Sequence, residues 1–548
     1  MQNQAYGYFF PHGAFFSLGN LLHIPPWITQ RIWWALLLLA GFWGIIRLAE
    51  AIGVGSRSSR IIAAVAFTLS PRVLTTVGSI SSETLPMMLA PWVLIPVVVA
   101  FRPVQSEACH AVRALPGPVG VKRARVLAAQ SAVAVALMGA VNAVATAAAC
   151  LVAVIWWAAH KPNRRFWVFT AWWVPCVALA TIWWMVPLLI LGKVSPPFLD
   201  YIESAGVTTQ WASLAEVLRG TDSWTPFVSP ERIAGAVLVT QPGAVLATGL
   251  LAAAGLAGLA MRSMPNKGKL FLILGVGLVG LTAGYVGELG SPVFDQVRHF
   301  LDSGGAPLRN VHKLEPLIRL PLVLGLAHLL AQVPLPGSVP GKQWRSAVAH
   351  PERRPMMALT GLILVALTLA TSLAWNGDLA PRGAYDKVPD YWTEAADWLD
   401  ANTSDGPNTE RALVVPGAPF GSQVWGLTRD EPLQALAKTP WAVRDAVPLN
   451  PPGAIRAMDS VQRLIGDGRP SDGLAETLLG QGIGYLVLRN DLDPDTSRST
   501  RPMQAHQAVE ESPGIVKVAE FGDKVGPGTV DGLVADGDLR PEYPAVQI

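Results

Sequence analysis

Charge is scarce in this sequence. Charged residues make up 15% of the 548, against 51% hydrophobic, where a soluble globular domain carries roughly 25% charged. Cysteine is scarcer still. Cys109, Cys150 and Cys176 are an odd number and two of them lie inside apolar runs, which excludes a disulfide framework and a thiolate metal cluster. The net charge of +3 is carried by no long basic block, so a nucleic-acid partner is not indicated. Phosphate-cradling GxxxxGK[ST], HExxH, GxSxG and paired CxxC are all absent, which argues against an ATP-driven pump, a zincin and a serine hydrolase. An enzyme whose donor is a lipid phosphate survives these exclusions. What is present in quantity is apolar sequence: the mean hydropathy is +0.36, the composition of an integral membrane protein.

A membrane-crossing helix needs roughly 20 mostly apolar residues, or about 17 when short. Ten segments approach that length, near 31–53, 61–78, 85–101, 125–140, 142–159, 166–191, 235–260, 269–288, 316–333 and 356–375. Prolines interrupt the second and third, and the fourth and fifth also read as one re-entrant hairpin turning at "MGAVNA". Alternate connections, among them "HKPNRR" and "RSMPNKGK", together hold 18 Lys and Arg against 3 acids. The positive-inside rule makes those loops cytoplasmic. The intervening loops and the Pro-, Gly- and Asp-rich tail after Leu373 are then outside. Residues 1–30 read as an outer N-terminal segment, 31–375 as the transmembrane domain and 376–548 as a small extracytoplasmic α/β domain, with "GIGYLVLRND" as a strand. An outer start without a basic, cleavable leader leads to the expectation of a further crossing helix upstream of Met1.

The outer residues carry the candidate chemistry. In "PLRNVHKLEPLIRLPL" the residues Arg309, His312, Lys313 and Arg319, interleaved with Asn310 and Glu315, crowd the mouth of an apolar helix. Four cationic donors at headgroup depth suit a phosphate; the other reading is a helix end anchored by snorkelling side chains. Glu83 in "SSETLP", with Arg72 close by in sequence, is a candidate base or sugar ligand, or an ordinary acid in a first helical turn. Asp200, Tyr201, Glu203 and Asp222 are further candidates for holding a sugar, or solvated loop charge. "GVGLVG" imitates a dinucleotide fingerprint but lies inside an apolar helix, where small residues serve close packing. "DLDPD" begins like a calcium loop but lacks its later glycine and glutamate.

Several long strings occur in order: "YGYFFPHGAFFSLG", "FTLSPRVLTTVGSISSETLPMMLAPWVLIP", "MGAVNAVAT", "PLRNVHKLEPLIRLPL", "WAVRDAVPLNPPGAIRAMDSVQRL" and "YLVLRNDLD". Through them the sequence resembles the actinobacterial alpha-(1→3)-arabinofuranosyltransferase D family, of GT-C type. The resemblance implies a polytopic enzyme on the outer face of the plasma membrane. Its donor would be decaprenylphosphoryl-arabinofuranose and its acceptor the arabinan of arabinogalactan and lipoarabinomannan. It also implies an acyl carrier protein partner on the cytoplasmic face and further carbohydrate-binding modules; divalent metal assistance stays open. GT-C enzymes place their catalytic acid in the first outer loop, so that acid is expected upstream of Met1, with Glu83 the weaker candidate here. Two other readings stand beside this one: a non-catalytic membrane scaffold or polysaccharide-binding subunit, and a lipid-linked sugar transporter. A transporter would also place ionisable groups at mid-membrane depth, and the apolar segments hold almost none.

Overall fold

A computed structural model describes residues 10–102, 121–194, 203–225, 233–349, 355–377, 379, 383–403, 410–445, 450–526 and 542–548. The chain divides into two compact units, Gln4–Val194 with Glu203–Pro381 in one and mainly Arg382–Ile548 in the other.

The first unit is helical. Helices α1 (His12–Leu21), α2 (Pro26–Ile52), α3 (Arg57–Thr68), α4 (Pro71–Thr76), α5 (Ser81–Ala100), α6 (Val121–Met138), α7 (Ala143–Ala158) and α8 (Arg164–Val194) follow one another. Among the later helices are Pro242–Ala260, Lys267–Thr282, Glu315–Leu330 and Pro355–Ala370. Each of the ten apolar segments is found as helix, but two are broken where proline removes an amide donor: Ser70–Pro71 divides α3 from α4, and Gln241–Pro242 divides Ile233–Thr240 from Pro242–Ala260. Among the described residues four helices, α2, α5, α8 up to Ile190 and Pro242–Ala260, are long and apolar enough to cross a membrane by length and composition. Several others fall short. At 1.5 Å per residue, the 16 residues of Glu315–Leu330 span about 24 Å.

Burial separates core helices from lipid-facing ones. Every residue of Glu315–Leu330 is buried, so this helix is wrapped by protein on all sides, whereas α8 exposes Leu179, Ile182, Leu189 and Ile190. The central helix is reached through glycine. A Cβ on Gly258 would lie 1.8 Å from the Gly325 carbonyl oxygen, and one on Gly277 would lie 2.8 Å from the Leu317 Cβ. The "GVGLVG" string therefore serves helix packing, seating the start of the central helix. Trp33, Trp156 and Trp173 are turned into the core.

Basic connections gather at one end of the bundle. Arg47 pairs with Glu50, Arg102 donates to the Glu50 carbonyl, and Arg165 donates to the Arg102 carbonyl, so three of the basic connections meet. The opposite loops meet at the other end, where the polar site lies.

The second unit is an α/β domain around a five-stranded sheet ordered β4-β1-β5-β7-β6. Strands β1 (Arg411–Val415), β4 (Trp441–Val443) and β5 (Ile483–Arg489) are parallel; β6 (Glu520–Val525) and β7 (Tyr543–Gln547) run antiparallel. A separate hairpin joins β2 (Gly421–Gln423) and β3 (Gly426–Arg429). The expected strand at "GIGYLVLRND" is β5, whose near-continuous apolar run is buried over Leu486–Arg489, as a central strand covered on both faces requires. Past its end, Asp491 accepts hydrogen bonds from Tyr391, Trp392 and Trp425 at 2.8–2.9 Å on one carboxylate oxygen.

Candidate functional site

The site is assembled from helix beginnings. Ser70–Pro71 starts α4 and sets Arg72 in its first turn, buried to 5% exposure. Glu83 stands in the first turn of α5, where the positive end of the helix favours a carboxylate. Asn142 caps α7, its side-chain oxygen accepting from the Ala145 amide at 3.2 Å. His312 and Lys313 lie in a 3₁₀ turn, Val311–Leu314, that leads straight into Glu315–Leu330; Pro316 at the helix start needs no amide partner there.

These pieces converge on the Glu83 carboxylate. Arg72 donates to Oε2 at 2.5 Å and Asn142 to Oε1 at 3.3 Å. Lys313 Nζ lies 3.6 Å from Oε1 and His312 Nε2 lies 3.6 Å from Oε2. The four are drawn from three segments far apart in sequence, around residues 72, 142 and 312–313. Burial first, and next the charge of Arg72, push the His312 imidazole down to about 4, so the ring is neutral at pH 7. Its two nitrogens are buried and have no hydrogen-bond partner among the described residues. Arg72 Nη1 is likewise unsatisfied, a spare buried donor next to the carboxylate.

A second group of charges adjoins the first. Arg319 donates through Nε and Nη2 to Glu315 Oε1 at 2.8 and 2.6 Å, one helical turn back, and through Nη1 to the Leu218 carbonyl. Asp222, just beyond the left-handed Gly220, is 1% exposed and faces Glu315, Arg72 and Arg319. Burial, then the Glu315 charge, push its carboxyl up to about 8. Beside Arg319 lies a cavity of about 30 Å³, lined by Ser70, Arg219, Thr248 and apolar side chains, large enough for water but not for a sugar phosphate. No cluster of three or more His, Cys, Asp or Glu with metal-binding geometry occurs among the described residues.

A buried acid is thus gripped by cations at the mouth of an apolar bundle, and comparison with known proteins identifies the family. The family described as "Alpha-(1->3)-arabinofuranosyltransferase, N-terminal GT-C domain" matches residues 1–548. The chain belongs to this family. It is 62% identical over 547 residues to an alpha-(1→3)-arabinofuranosyltransferase of Mycolicibacterium smegmatis and 60% identical over 547 to one of Mycobacterium tuberculosis. All of this chain is covered in both comparisons, but only 37% and 38% of those relatives, so the chain spans little more than a third of their length. Its fold is similar to the cryo-EM structure of the mycobacterial arabinofuranosyltransferase AftD, with a TM-score of 0.79 at 58% identity, covering 100% of this chain and 35% of that one.

In this family member the residues singled out by sequence divide into three sets. Glu83, Arg72, His312 and Lys313 come together. Glu315 and Arg319 bind each other and form the adjoining group. Arg309 and Asn310 turn away: Arg309 bonds the Leu301 and Glu203 carbonyls and pairs with Asp302 at 3.3 Å, while Asn310 donates to Glu203 Oε1 at 2.7 Å and accepts from Trp224. Glu203 is thus held in that network. Asp200 and Tyr201 lie outside the described residues. Asn142 stands out in the sequence only as a polar turn residue in an apolar stretch; asparagine ahead of an alanine-rich helix signals a cap, and its amide is left to donate to Glu83.

Proposed function

We propose that this chain is the GT-C membrane core of an alpha-(1→3)-arabinofuranosyltransferase, with the polar site as its pocket for the donor's phosphate. The chain would cross the membrane about ten times, with residues 376–548 on the outer face. The donor is decaprenylphosphoryl-arabinofuranose and the acceptor is cell-wall arabinan. The observation that carries this reading is the Glu83 cluster. Arg72 and Lys313 bring two positive charges against one carboxylate, with neutral His312 beside them, so the cluster keeps a net positive charge and a spare guanidinium donor for a phosphate oxygen. Its position at the ends of apolar helices lets a polyprenyl tail stay in lipid while its head is bound.

Chemically, the cations stabilise the departing phosphate as the acceptor hydroxyl attacks the anomeric carbon and a carboxylate takes its proton. A single displacement inverts that carbon. Glu83 holds Arg72 and Lys313 in place, since both of its oxygens are already engaged. The basic loops at the opposite end of the bundle suit an acidic carrier protein in the cytoplasm.

The test is transfer of labelled arabinofuranose from a polyprenyl-phosphate donor to an arabinan oligosaccharide by the intact protein in proteoliposomes. Transfer that disappears in Arg72→Met, in protein that still folds, supports the reading. Donor binding without transfer would make the chain a scaffold, and movement of the donor between leaflets would make it a transporter.

A further inference from the structure

Asp222 is the one acid of this region whose two carboxylate oxygens are both buried without a hydrogen-bond partner among the described residues. A buried polar group left unpaired costs free energy, and an unpaired charge costs far more. Its neighbours explain how the residue is tolerated. Glu315 and Arg319 face it from the central helix and Arg72 faces it from α4; on its own segment Arg219 and Glu216 pair with each other at 2.5 Å. Arg319 gives two bonds to Glu315 and none to Asp222, so the ionised member of the carboxylate pair is Glu315.

We propose that Asp222 and Glu315 hold one proton between them, seated on Asp222, and that this proton leaves the site with the single positive charge that matches a phosphodiester. The charge count shows why it matters. Arg72, Lys313 and Arg319 are positive, Glu83 and Glu315 are negative, and His312 is neutral. With Asp222 protonated the sum is +1; once Asp222 ionises, its proton goes to solvent and the sum is zero. A phosphodiester carries one negative charge, so the protonated state is the complementary one, and a protonated carboxyl adds a donor where a carboxylate only accepts. The upward shift of Asp222 places this change just above neutral pH.

The consequence for the ligand rests on the donor reading above; the proton does not, and two measurements separate them. In the intact protein in detergent micelles, the affinity for a farnesyl-phosphate-linked arabinofuranose is followed from pH 6 to 10. It should hold level to about pH 8 and then fall, approaching tenfold per pH unit. Asp222→Asn should bind with no such fall. A fall that persists in Asp222→Asn, or a flat wild-type curve with binding present, overturns the proposal. Independently, the infrared spectrum at pH 7 should show the C=O stretch of a protonated carboxylic acid, lost in Asp222→Asn. Glu315→Gln should lose it too, because Arg319 then becomes the counter-ion of an ionised Asp222, and this variant serves if Asp222→Asn does not fold. Absence of the band in the wild type overturns the shared proton; presence of the band with no probe binding at any pH keeps it and removes the donor reading.

Discussion

Lys313→Met separates the phosphate reading of the outer cluster from an anchoring one. The substitution keeps an unbranched apolar stem and removes only the ammonium, which lies 3.6 Å from Glu83 and is mostly buried. At that separation and an effective dielectric near 20, the attraction to Glu83 is about 5 kcal/mol before desolvation. The net loss in stability is smaller, about 1 kcal/mol, because Arg72 still neutralises Glu83 at 2.5 Å and the repulsion between Lys313 and Arg72 is relieved. Catalysis depends on the same charge differently. A charge-assisted hydrogen bond to phosphate contributes roughly 1.5–3 kcal/mol, so kcat/KM for the lipid-phosphate donor should drop about ten- to a hundredfold, with the thermal midpoint nearly unchanged. Arg309→Met gives the opposite pattern: its guanidinium satisfies the Leu301 and Glu203 carbonyls and pairs with Asp302, so its loss should cost about 2–4 kcal/mol of stability. Activity per folded molecule should stay close to wild type. Donor kinetics in proteoliposomes beside thermal melting decide it. Lys313→Met within twofold of wild type, or Arg309→Met folded but inactive, would refute the assignment of Lys313 to the phosphate and of Arg309 to holding the loops.

The remaining predictions concern other contacts. Glu83→Gln leaves Arg72 and Lys313 without their shared counter-charge, and should lower stability by about 3 kcal/mol in denaturant titration; a double Glu83→Gln, Arg72→Met variant should recover part of that loss. His312 has a folded value near 4 against about 6.5 unfolded, so the unfolded chain binds the extra proton between those values. Stability from this group is therefore present above about pH 6.5 and is lost as pH falls toward 4; melting of His312→Gln between pH 7 and 4.5 should show a shallower acid slope than wild type. Gly139→Ala should unfold or misplace the α6–α7 turn, because φ is +64° and the new Cβ would fall 1.9 Å from the Phe10 carbonyl oxygen; limited proteolysis reports it. Asp491→Asn replaces an acceptor of three hydrogen bonds in the α/β domain and should speed hydrogen exchange along β5 by at least tenfold.

The helices of the first unit were legible because apolar runs write their length directly into sequence. Boundaries of α2, α5, α6, α7 and α8 follow the runs to within a few residues, and the strand β5 was visible for the same reason. Prolines were visible too, but whether one bends or ends a helix depends on what re-bonds the freed carbonyls. Pro86, Pro91 and Pro96 stay inside α5, where neighbouring helices bury them, while Pro71 and Pro242 begin new helices. The site was legible in chemistry and not in grouping. Arg309 and Lys313 are four apart, a spacing that shares a face on an α-helix. Here the backbone passes through a bend at Asn310 and a 3₁₀ turn, and the two side chains leave in different directions. Asn142 and Asp222 were each visible as polar residues among apolar or loop sequence. Their meaning came only from partners 59 residues away for Asn142 and from the central helix for Asp222.

The convergence of helix beginnings explains why so few charges suffice. The N-termini of α5, α7 and the central helix meet at the Glu83 cluster, each presenting partial positive charge and unsatisfied amide donors. Glu83 in the first turn of α5 answers one of them, and Asn142 caps another. The central helix begins with Glu315, which Arg319 takes up within the same helix. Fixed backbone dipoles of this kind need no counter-charge of their own and no long side chains to be ordered when a ligand arrives, which lowers the entropic cost of binding. A phosphate would then be met by two side-chain charges, Arg72 and Lys313, held by one acid against a rigid positive frame. On the proposed donor reading, the lipid tail would continue along apolar helix faces without leaving hydrocarbon. A sequence with 15% charge can build an anion site this way because the backbone supplies part of the positive potential that a soluble protein would draw from more lysine and arginine.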